Sequence, residues 1–234
     1  MVVKGAEKVV EASYYYPFVS HANLEPQVAT AIYHESGKLE MRAPSQNPRG
    51  ARALIARTLG MDEQDIHIEL ERIGGGFGRR LTHDYMVEAA WIAREMRRPV
   101  QLQWTREDDL QHDFYRPAAW HHFRAGIDGD GRMSAFDHHF ISFGRGGEPV
   151  SGASLSASHY PAGLVKDFRL RQSLIECNVP TGPWRSPGHS AYCWAYQSFF
   201  DEVALAAEKD QLEFRLDLLS RSFGEPPLDL ARTA

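Results

Sequence analysis

A glycine-rich stretch, IGGGFGRR at residues 73–80, lies between a predicted strand and a predicted helix. Glycines in that position let backbone N–H groups approach an acceptor, and the N-terminus of the following helix favours negative charge. The spacing matches neither the GxGxxG dinucleotide fingerprint nor the GxxxxGK[ST] phosphate loop. The stretch is therefore interpreted either as a wall of a ligand site or as a tight turn that needs positive φ angles.

The histidines and cysteines of the chain are candidates for metal ligands. Two adjacent histidine pairs occur at residues 121–122 and 138–139. Successive residues of a strand point to opposite faces, so neither pair can direct both rings at one ion. The cysteines, Cys177 and Cys193, form no CxxC motif, which argues against an iron–sulfur cluster or a structural zinc site in this chain. No direct metal ligand is therefore predicted.

Composition sets the outer limits of the fold and its partners. The chain has 234 residues, 43% hydrophobic and 24% charged, which is enough for a buried core in one or two domains. The formal net charge of -5 argues against nucleic acid as a partner. The sequence contains no apolar stretch long enough to span a bilayer, and its start lacks the order of charged and apolar residues of a signal peptide. No targeting or transmembrane segment is predicted.

Strand and helix signals alternate along the chain and predict an α+β fold of mixed sheets with packed helices. In DIHIELERI, apolar Ile66, Ile68 and Leu70 alternate with polar residues, which predicts a half-buried strand leading into the glycine stretch. Residues 144–163, rich in glycine and serine, are expected to form an ordered loop or a linker. The other predicted elements are strands at 14–19, 38–42, 99–104 and 168–179, a hairpin around 129–131, and helices at 47–59, 83–96, 192–208 and 212–220, with Gly60 as a C-terminal and Thr105 as an N-terminal cap.

Five ordered stretches resemble the molybdopterin-binding large subunit of the xanthine dehydrogenase and aldehyde oxidase family. They are HANLEPQVATA, APSQNPRGARALIARTLG, IGGGFGRR, WTREDD with HDFYRPAA, and GPWRSPGHS with SFFDEVALAAEKDQLEFRLDLL. They extend from about His21 to Leu219, and GGGFGRR with HDFYRPAA is most similar to the isoquinoline 1-oxidoreductase type. The family's large subunit is longer than this chain. The resemblance implies that residues 1–234 are a portion of a molybdopterin-binding domain, truncated at both ends.

The resemblance assigns cofactor-binding roles to two of these stretches. Gln46 matches the glutamine that hydrogen-bonds the terminal oxo group of molybdenum, whereas its residue type alone also allows a polar cap at the entry of a helix. Gly75, Gly76, Phe77 and Gly78 match the turn whose backbone passes the ligands of the metal. Phe77 alone keeps a side chain there.

Two further stretches complete the implied site. Arg185 matches the arginine that follows an aromatic residue beside the pterin, and a surface arginine in a proline-rich loop is the alternative. The preceding Trp184 is a candidate for the substrate pocket, whereas the other tryptophans are expected to pack. His21, Glu25 and Pro26 match a motif interpreted as structural, which is expected to brace the site at the start of a helix.

The glycine stretch departs from the family pattern at its end. Purine-oxidising members have GGGFGGKE, with an acidic residue that grips the heterocycle, but Leu81 stands at that position here. Leu81 is therefore a candidate for a substrate pocket that does not suit purines. Arg79 and Arg80 are expected either to bind a phosphate of the cofactor or to form ion pairs with Asp84 and Glu88.

The implied function is the hydroxylation of N-heteroaromatic compounds or the oxidation of aldehydes, with water as oxygen source and molybdopterin cytosine dinucleotide as cofactor. The family's general-base glutamate lies in a Gly-x-Gly-Glu motif that this chain lacks, so no catalytic residue is assigned and the isolated chain is expected to be inactive. Implied partners are a small subunit carrying the iron–sulfur clusters and the remainder of the large subunit, in a bacterial cytoplasm or periplasm. The alternatives are a non-catalytic fragment or degenerate homologue acting in folding or assembly, and an unrelated nucleotide-binding module.

Overall fold

A computed structural model describes residue 3, residues 5–156 and residues 158–221. The chain forms two compact units. The four-stranded unit comprises Val19–Arg116 and Val179–Arg185, and the five-stranded unit comprises the described residues up to Phe18, Pro117–Asn178 and those from Ser186 onward. The α+β fold of mixed sheets with packed helices, predicted from the sequence, is confirmed.

In chain order the elements are β1 Lys8–Tyr16, β2 Val28–Tyr33, β3 Leu39–Ala43, α1 Pro48–Leu59, β4 Ile66–Leu70, α2 Asp84–Met96, β5 Val100–Gln103, α3 Arg106–Gln111, β6 Ala119–Ile127, β7 Met133–Arg145, β8 Glu148–Pro149, β9 Asp167–Glu176, α4 His189–Ala206 and α5 Gln211–Leu219. Within the described residues, none of the helices has both the length and the apolar composition that crossing a membrane requires.

The four-stranded unit is built on the sheet β4-β3-β2-β5. Strand β2 pairs antiparallel with both neighbours, whereas β3 and β4 run parallel because α1 carries the chain back between them. Along β3, Leu39 and Met41 are buried and the intervening Glu40 is exposed, as expected for a strand with one face on a core. Ile55 of α1 and Tyr85 of α2 are fully buried in the same core, so both helices cover the sheet.

The ends of the helices in this unit follow the predicted capping chemistry. The side chain of Asn47 accepts a hydrogen bond from Gly50 N at 3.0 Å, and α1 ends at Gly60, whose φ of 66° lies in the left-handed region. Thr105 caps α3 in a reciprocal capping box with Asp108. The predicted roles of Gly60 and Thr105 are thus confirmed.

The five-stranded unit orders four strands as β1-β6-β7-β8, and β9 pairs in parallel with β7. The predicted hairpin between β6 and β7 is confirmed, with Gly131 in its turn at a φ of 69°. Helices α4 and α5 supply Phe199, Phe200 and Phe214 to the core, where the Phe123 ring stacks on Phe199 at 4.9 Å between centroids.

Several predicted elements differ from the structure in their bounds or their type. The strand predicted at 14–19 is β1, which ends at Tyr16 because Pro17 has no N–H to continue the ladder with β6. The motif at 21–26 precedes the strand β2, which was not predicted, so the expectation of a helix start there is wrong. The segment 144–163 contains the end of β7 and the short strand β8, so it is not wholly a loop.

Helix α4 also begins earlier than predicted, at His189 rather than at residue 192. Gly188 precedes it with a φ of 77°, a conformation that glycine adopts without strain. The proline-rich loop is therefore three residues shorter than its sequence indicates.

The adjacent histidines occupy opposite faces of the five-stranded sheet, as strand geometry predicts. His121 and His138 lie in the core, where His121 Nδ1 is 3.0 Å from His138 Nε2 and His138 Nδ1 is 2.8 Å from the hydroxyl of Tyr196. His122 is exposed and lies 2.7 Å from Ser13 Oγ. Burial lowers the pKa of His121 to about 3 and holds the pKa of His138 well below its usual value, so both buried rings are neutral.

Replacing His121 by glutamine is expected to reduce the acid sensitivity of the fold. An unfolded histidine binds a proton near pH 6.5 but the buried ring does so only near pH 3, so stability now falls as the pH drops through that window. Without this group, the slope of the unfolding free energy against pH should decrease by up to about 1.4 kcal/mol per pH unit. Urea unfolding at several pH values between about 3 and 6.5 measures this slope, with His122→Gln as the matched control. Equal slopes for the two variants would contradict the prediction.

Candidate functional site

The pairing of β3 with β4 places two sequence-predicted segments side by side. Because these strands are parallel, their carboxyl ends meet at one edge of the sheet, with Ala43 opposite Leu70. Gln46 follows β3 and the glycine stretch follows β4. The N–H of Gly78 donates to Gln46 Oε1 at 3.0 Å, and the N–H of Gln46 donates to the Arg80 carbonyl at 3.0 Å.

The glycine stretch forms a turn in which the N–H of Arg79 donates to the Gly76 carbonyl at 2.8 Å, and it leads into the short 3-10 turn Arg79–Leu81. Gly75, Phe77 and Gly78 have φ angles of 100°, 54° and 107°, so a non-glycine residue takes the strained conformation at Phe77 alone. A Cβ on Gly76 would overlap the side chain of Gln46. Within the described residues, the N–H groups of Gly75, Gly76 and Phe77 donate to no protein acceptor. The turn therefore offers three consecutive backbone donors.

The amide of Gln46 has a fixed orientation. The N–H of Gly78 requires an acceptor, which assigns the near end of the amide to Oε1 and the far end to the NH2 group. The NH2 group has no hydrogen-bond partner among the residues that the structure describes. The cap of α1 is supplied by Asn47 instead. Gln46 thus presents a neutral donor beside the glycine turn.

Residues 183–185 pack against the same turn. A Cβ on Gly78 would overlap the carbonyl oxygen of Pro183, and the N–H of Arg185 donates to the Phe77 carbonyl at 2.7 Å. The Arg185 side chain is exposed. Trp184 packs under a guanidinium, with Arg116 Cζ 5.2 Å from its ring centroid. The backbone of this segment, rather than the Arg185 side chain, contacts the turn.

The side chain of Arg79, which directly follows the glycine turn, is fully buried. Its two terminal nitrogens each donate to a carboxylate oxygen of Asp84 at 2.8 Å, a bidentate arrangement. Its Nε lies 3.0 Å from Asp113 Oδ1, off the N–H axis, so that contact is an ion pair without a hydrogen bond. The rings of Trp104 and Phe114 flank the guanidinium, with their centroids 5.4 Å and 5.1 Å from Arg79 Cζ. Burial opposes the charge, but Asp84 together with the charges of Asp113 and Asp109 outweighs it and raises the pKa of Arg79.

Arg80 is also buried but pairs with a different carboxylate. Its Nη2 donates to Glu25 Oε2 at 2.8 Å, and the same oxygen accepts the N–H of Gly74 at 3.0 Å. Glu88 instead accepts a hydrogen bond from Trp104 at 2.9 Å. Because neither guanidinium is exposed, the structure favours the ion-pair interpretation over phosphate binding, with Glu25 as the partner of Arg80 in place of the predicted Glu88.

Asp113 was not predicted from the sequence, although its carboxylate accepts several hydrogen bonds near the turn. It accepts hydrogen bonds from Ser20 Oγ at 2.6 Å, from the N–H of Phe114 at 2.7 Å, and from the ring and the backbone of His21. Burial alone would raise the pKa of Asp113, but the bonds from His21 and Ser20 outweigh it and lower the pKa. The only sequence signal was an acidic residue within HDFYRPAA.

Apolar side chains remain exposed beside these polar groups. Phe77 is 43% exposed, and Leu81, which ends the short 3-10 turn Arg79–Leu81, is 40% exposed. Exposed apolar groups next to unpaired donors are typical of a surface that receives a ligand or another chain segment. The structure places Gln46, the glycine turn and the Arg185 backbone together, with Leu81 and Trp184 in adjoining segments.

Comparison with known proteins identifies the family of the chain. The sequence profile described as the molybdopterin cofactor-binding domain matches residues 1–218. The chain belongs to this family. The resemblance to the xanthine dehydrogenase and aldehyde oxidase family, including its isoquinoline 1-oxidoreductase members, is confirmed.

Curated relatives of this molybdopterin cofactor-binding domain include several oxidoreductases. A membrane-bound aldehyde dehydrogenase [pyrroloquinoline-quinone] of Gluconacetobacter polyoxogenes is 31% identical over 95% of the chain and 31% of the relative. The aldehyde oxidoreductase molybdenum-binding subunit PaoC of Escherichia coli is 31% identical over 88% of the chain and 28% of the relative. Isoquinoline 1-oxidoreductase subunit beta of Brevundimonas diminuta is 27% identical over 87% and 27%.

Solved structures show the same fold at lower identity. The aldehyde oxidoreductase of Desulfovibrio gigas superposes with a TM-score of 0.73 at 20% identity, covering 96% of this chain and 25% of that protein. Quinoline 2-oxidoreductase of Pseudomonas putida 86 gives 0.73 at 20% identity, covering 92% and 29%. The chain spans less than a third of the length of these relatives and structures.

Alanine at Gly78 is expected to destabilise the molybdopterin cofactor-binding domain by about 3 kcal/mol or more, because the new Cβ would overlap the Pro183 carbonyl in addition to straining the backbone. Gly60→Ala is the control: that glycine also has a positive φ, but nothing lies within 4 Å of its added Cβ. Its cost should stay near 1 kcal/mol. Chemical unfolding of both variants measures the difference, and equal losses would show that the carbonyl exerts no constraint.

Proposed function

We propose that the chain supplies part of the cofactor site of a molybdenum hydroxylase, an oxidoreductase that hydroxylates N-heteroaromatic compounds or oxidises aldehydes with water as oxygen source. The observation that carries the proposal is the Gln46 amide, fixed by the N–H of Gly78 so that its NH2 group is left for an external acceptor. The names of the aldehyde and isoquinoline oxidoreductases among the relatives support this substrate class.

The donors at this edge of the sheet fit a molybdenum–molybdopterin cofactor. The backbone N–H groups of residues 75–77 and the NH2 group of Gln46 are neutral donors, suited to the oxygen and sulfur acceptors of such a cofactor. Small residues keep the backbone of the turn accessible, and Phe77 and Leu81 supply apolar surface beside it. When bound, the cofactor supplies two-electron oxidation chemistry that protein side chains cannot perform.

The residues of this chain would bind and orient the cofactor. Gln46 would donate a hydrogen bond to an acceptor on the cofactor, and the segment at 183–185 would hold the turn in place through its backbone. The chain contains no Gly-x-Gly-Glu motif, so the general base is proposed to come from the remainder of the large subunit. The isolated chain would then bind without turnover, since positioned proton transfer contributes about a hundred- to ten-thousandfold.

We propose the cytosine dinucleotide form of the cofactor and a small partner subunit carrying the iron–sulfur clusters. Two of the relatives described above are named as subunits, which is consistent with a multi-subunit enzyme. The printed name of another relative gives pyrroloquinoline quinone, which makes that quinone the competing cofactor for this chain.

Analysis of the complete enzyme distinguishes these cofactors. Molybdenum, a pterin and cytidine monophosphate released by acid hydrolysis are expected in equal amounts, measured by mass spectrometry and chromatography. Pyrroloquinoline quinone without molybdenum would overturn the proposal in favour of a quinone enzyme. Absence of both cofactors, with the maturation machinery present, would favour the non-catalytic homologue.

Gln46→Glu tests the role of the amide in that enzyme. The glutamate keeps an oxygen for the N–H of Gly78 but replaces the NH2 donor by a second acceptor, so kcat should fall by about a hundredfold, as when one positioned donor is removed from an active site. Gln101→Glu introduces the same charge at an exposed position of β5 and is the matched control. Steady-state kinetics and unfolding are measured for both. Parental turnover by a folded Gln46→Glu enzyme would exclude the amide as a functional donor.

A further inference from the structure

We propose that His21 is a positioning residue for the cofactor site: its ring holds the Pro183 carbonyl against the glycine turn, while Asp113 fixes the ring from the other side. The proposal rests on the cofactor-binding function above. His21 Nε2 lies 3.1 Å from Pro183 O, and Nδ1 lies 3.0 Å and 3.1 Å from the two carboxylate oxygens of Asp113. Both side chains are 1% exposed, so water does not compete for these bonds.

The two contacts define the orientation of the ring. A carbonyl oxygen can only accept a hydrogen bond, so Nε2 of His21 donates to Pro183 O, while Nδ1 faces the carboxylate of Asp113. Asp113 also forms an ion pair with Arg79, whose Nε lies 3.0 Å away. The buried carboxylate thus binds the Arg79 guanidinium and orients the imidazole.

Pro183 O connects this ion cluster to the proposed cofactor site. The oxygen fills the space that a Cβ on Gly78 would occupy, and the N–H of Gly78 in turn fixes the Gln46 amide. Two residues after Pro183, the N–H of Arg185 donates a hydrogen bond to the Phe77 carbonyl at 2.7 Å. If the Pro183 carbonyl moves, the turn and the amide that depends on it can move as well. The imidazole therefore acts on the site through this carbonyl and need not touch a ligand.

The geometry requires two nitrogen atoms on opposite sides of one rigid ring. A glutamine at position 21 could donate from its NH2 group in one direction only, and its oxygen would face the second acceptor. A residue that only fills space would affect stability alone, whereas a positioning residue also alters the surroundings of the bound metal.

His21→Gln in the complete enzyme separates these two roles. The expected result is a folded protein by circular dichroism, with molybdenum content and kcat lowered by about tenfold and an altered electron paramagnetic resonance spectrum of Mo(V) in the fraction that retains the metal. His67→Gln makes the same change at an exposed histidine of β4 and should match the parent in all three measurements.

Parental molybdenum content and a parental spectrum in His21→Gln would overturn the proposal. If that variant does not fold, Ser20→Ala decides, because it removes only the 2.6 Å hydrogen bond from Ser20 to Asp113: a changed Mo(V) spectrum supports the proposal, and parental metal content and spectrum overturn it. A parent enzyme without any molybdopterin would instead contradict the proposed function, so the two failures are distinguishable.

Discussion

The close approach of the Gly78 α-carbon to the Pro183 carbonyl is the constraint on which the arrangement of this site depends. The two residues are more than a hundred positions apart in sequence, and no side chain larger than hydrogen fits between them. The contact sets the spacing between the glycine turn and the segment at 183–185. Gln46 and Phe77 then take their hydrogen-bond partners from the same two segments.

Buried ion pairs next to the glycine turn stabilise this contact. Arg79 and Arg80 are fully buried, and an unpaired buried ion would cost several kcal/mol. Each therefore has its own carboxylate, Asp84 for Arg79 and Glu25 for Arg80, while Asp113 lies between Arg79 and His21. Such clusters stabilise a fold only weakly in net terms, but they hold one geometry because any displacement exposes an uncompensated charge to a low dielectric. That property suits a scaffold for a cofactor.

Several features followed from local rules and could be predicted without coordinates. Helix α1 agrees with its predicted bounds to one residue because a polar cap, a proline and a terminal glycine act within a few residues of one another. The alternation of apolar and polar residues in β4, and the position of the glycine turn after it, could also be predicted from neighbouring residues alone. Strand β2 was missed because the motif before it was interpreted as leading into a helix. Its pairing with β3 and β5 determines that it is a strand.

The sequence by itself determined the fold class and the family, and it predicted which residues would face a cofactor. Ordered motifs across the chain carry that information, and Gln46 and the glycine turn were found from it. The tertiary structure decided the partners: Asp113 as the shared partner of Arg79 and His21, Glu25 rather than Glu88 for Arg80, and the Pro183 carbonyl against Gly78. These are contacts between residues far apart in sequence. Burial and long-range distance, which no local pattern encodes, decide which acid neutralises which base.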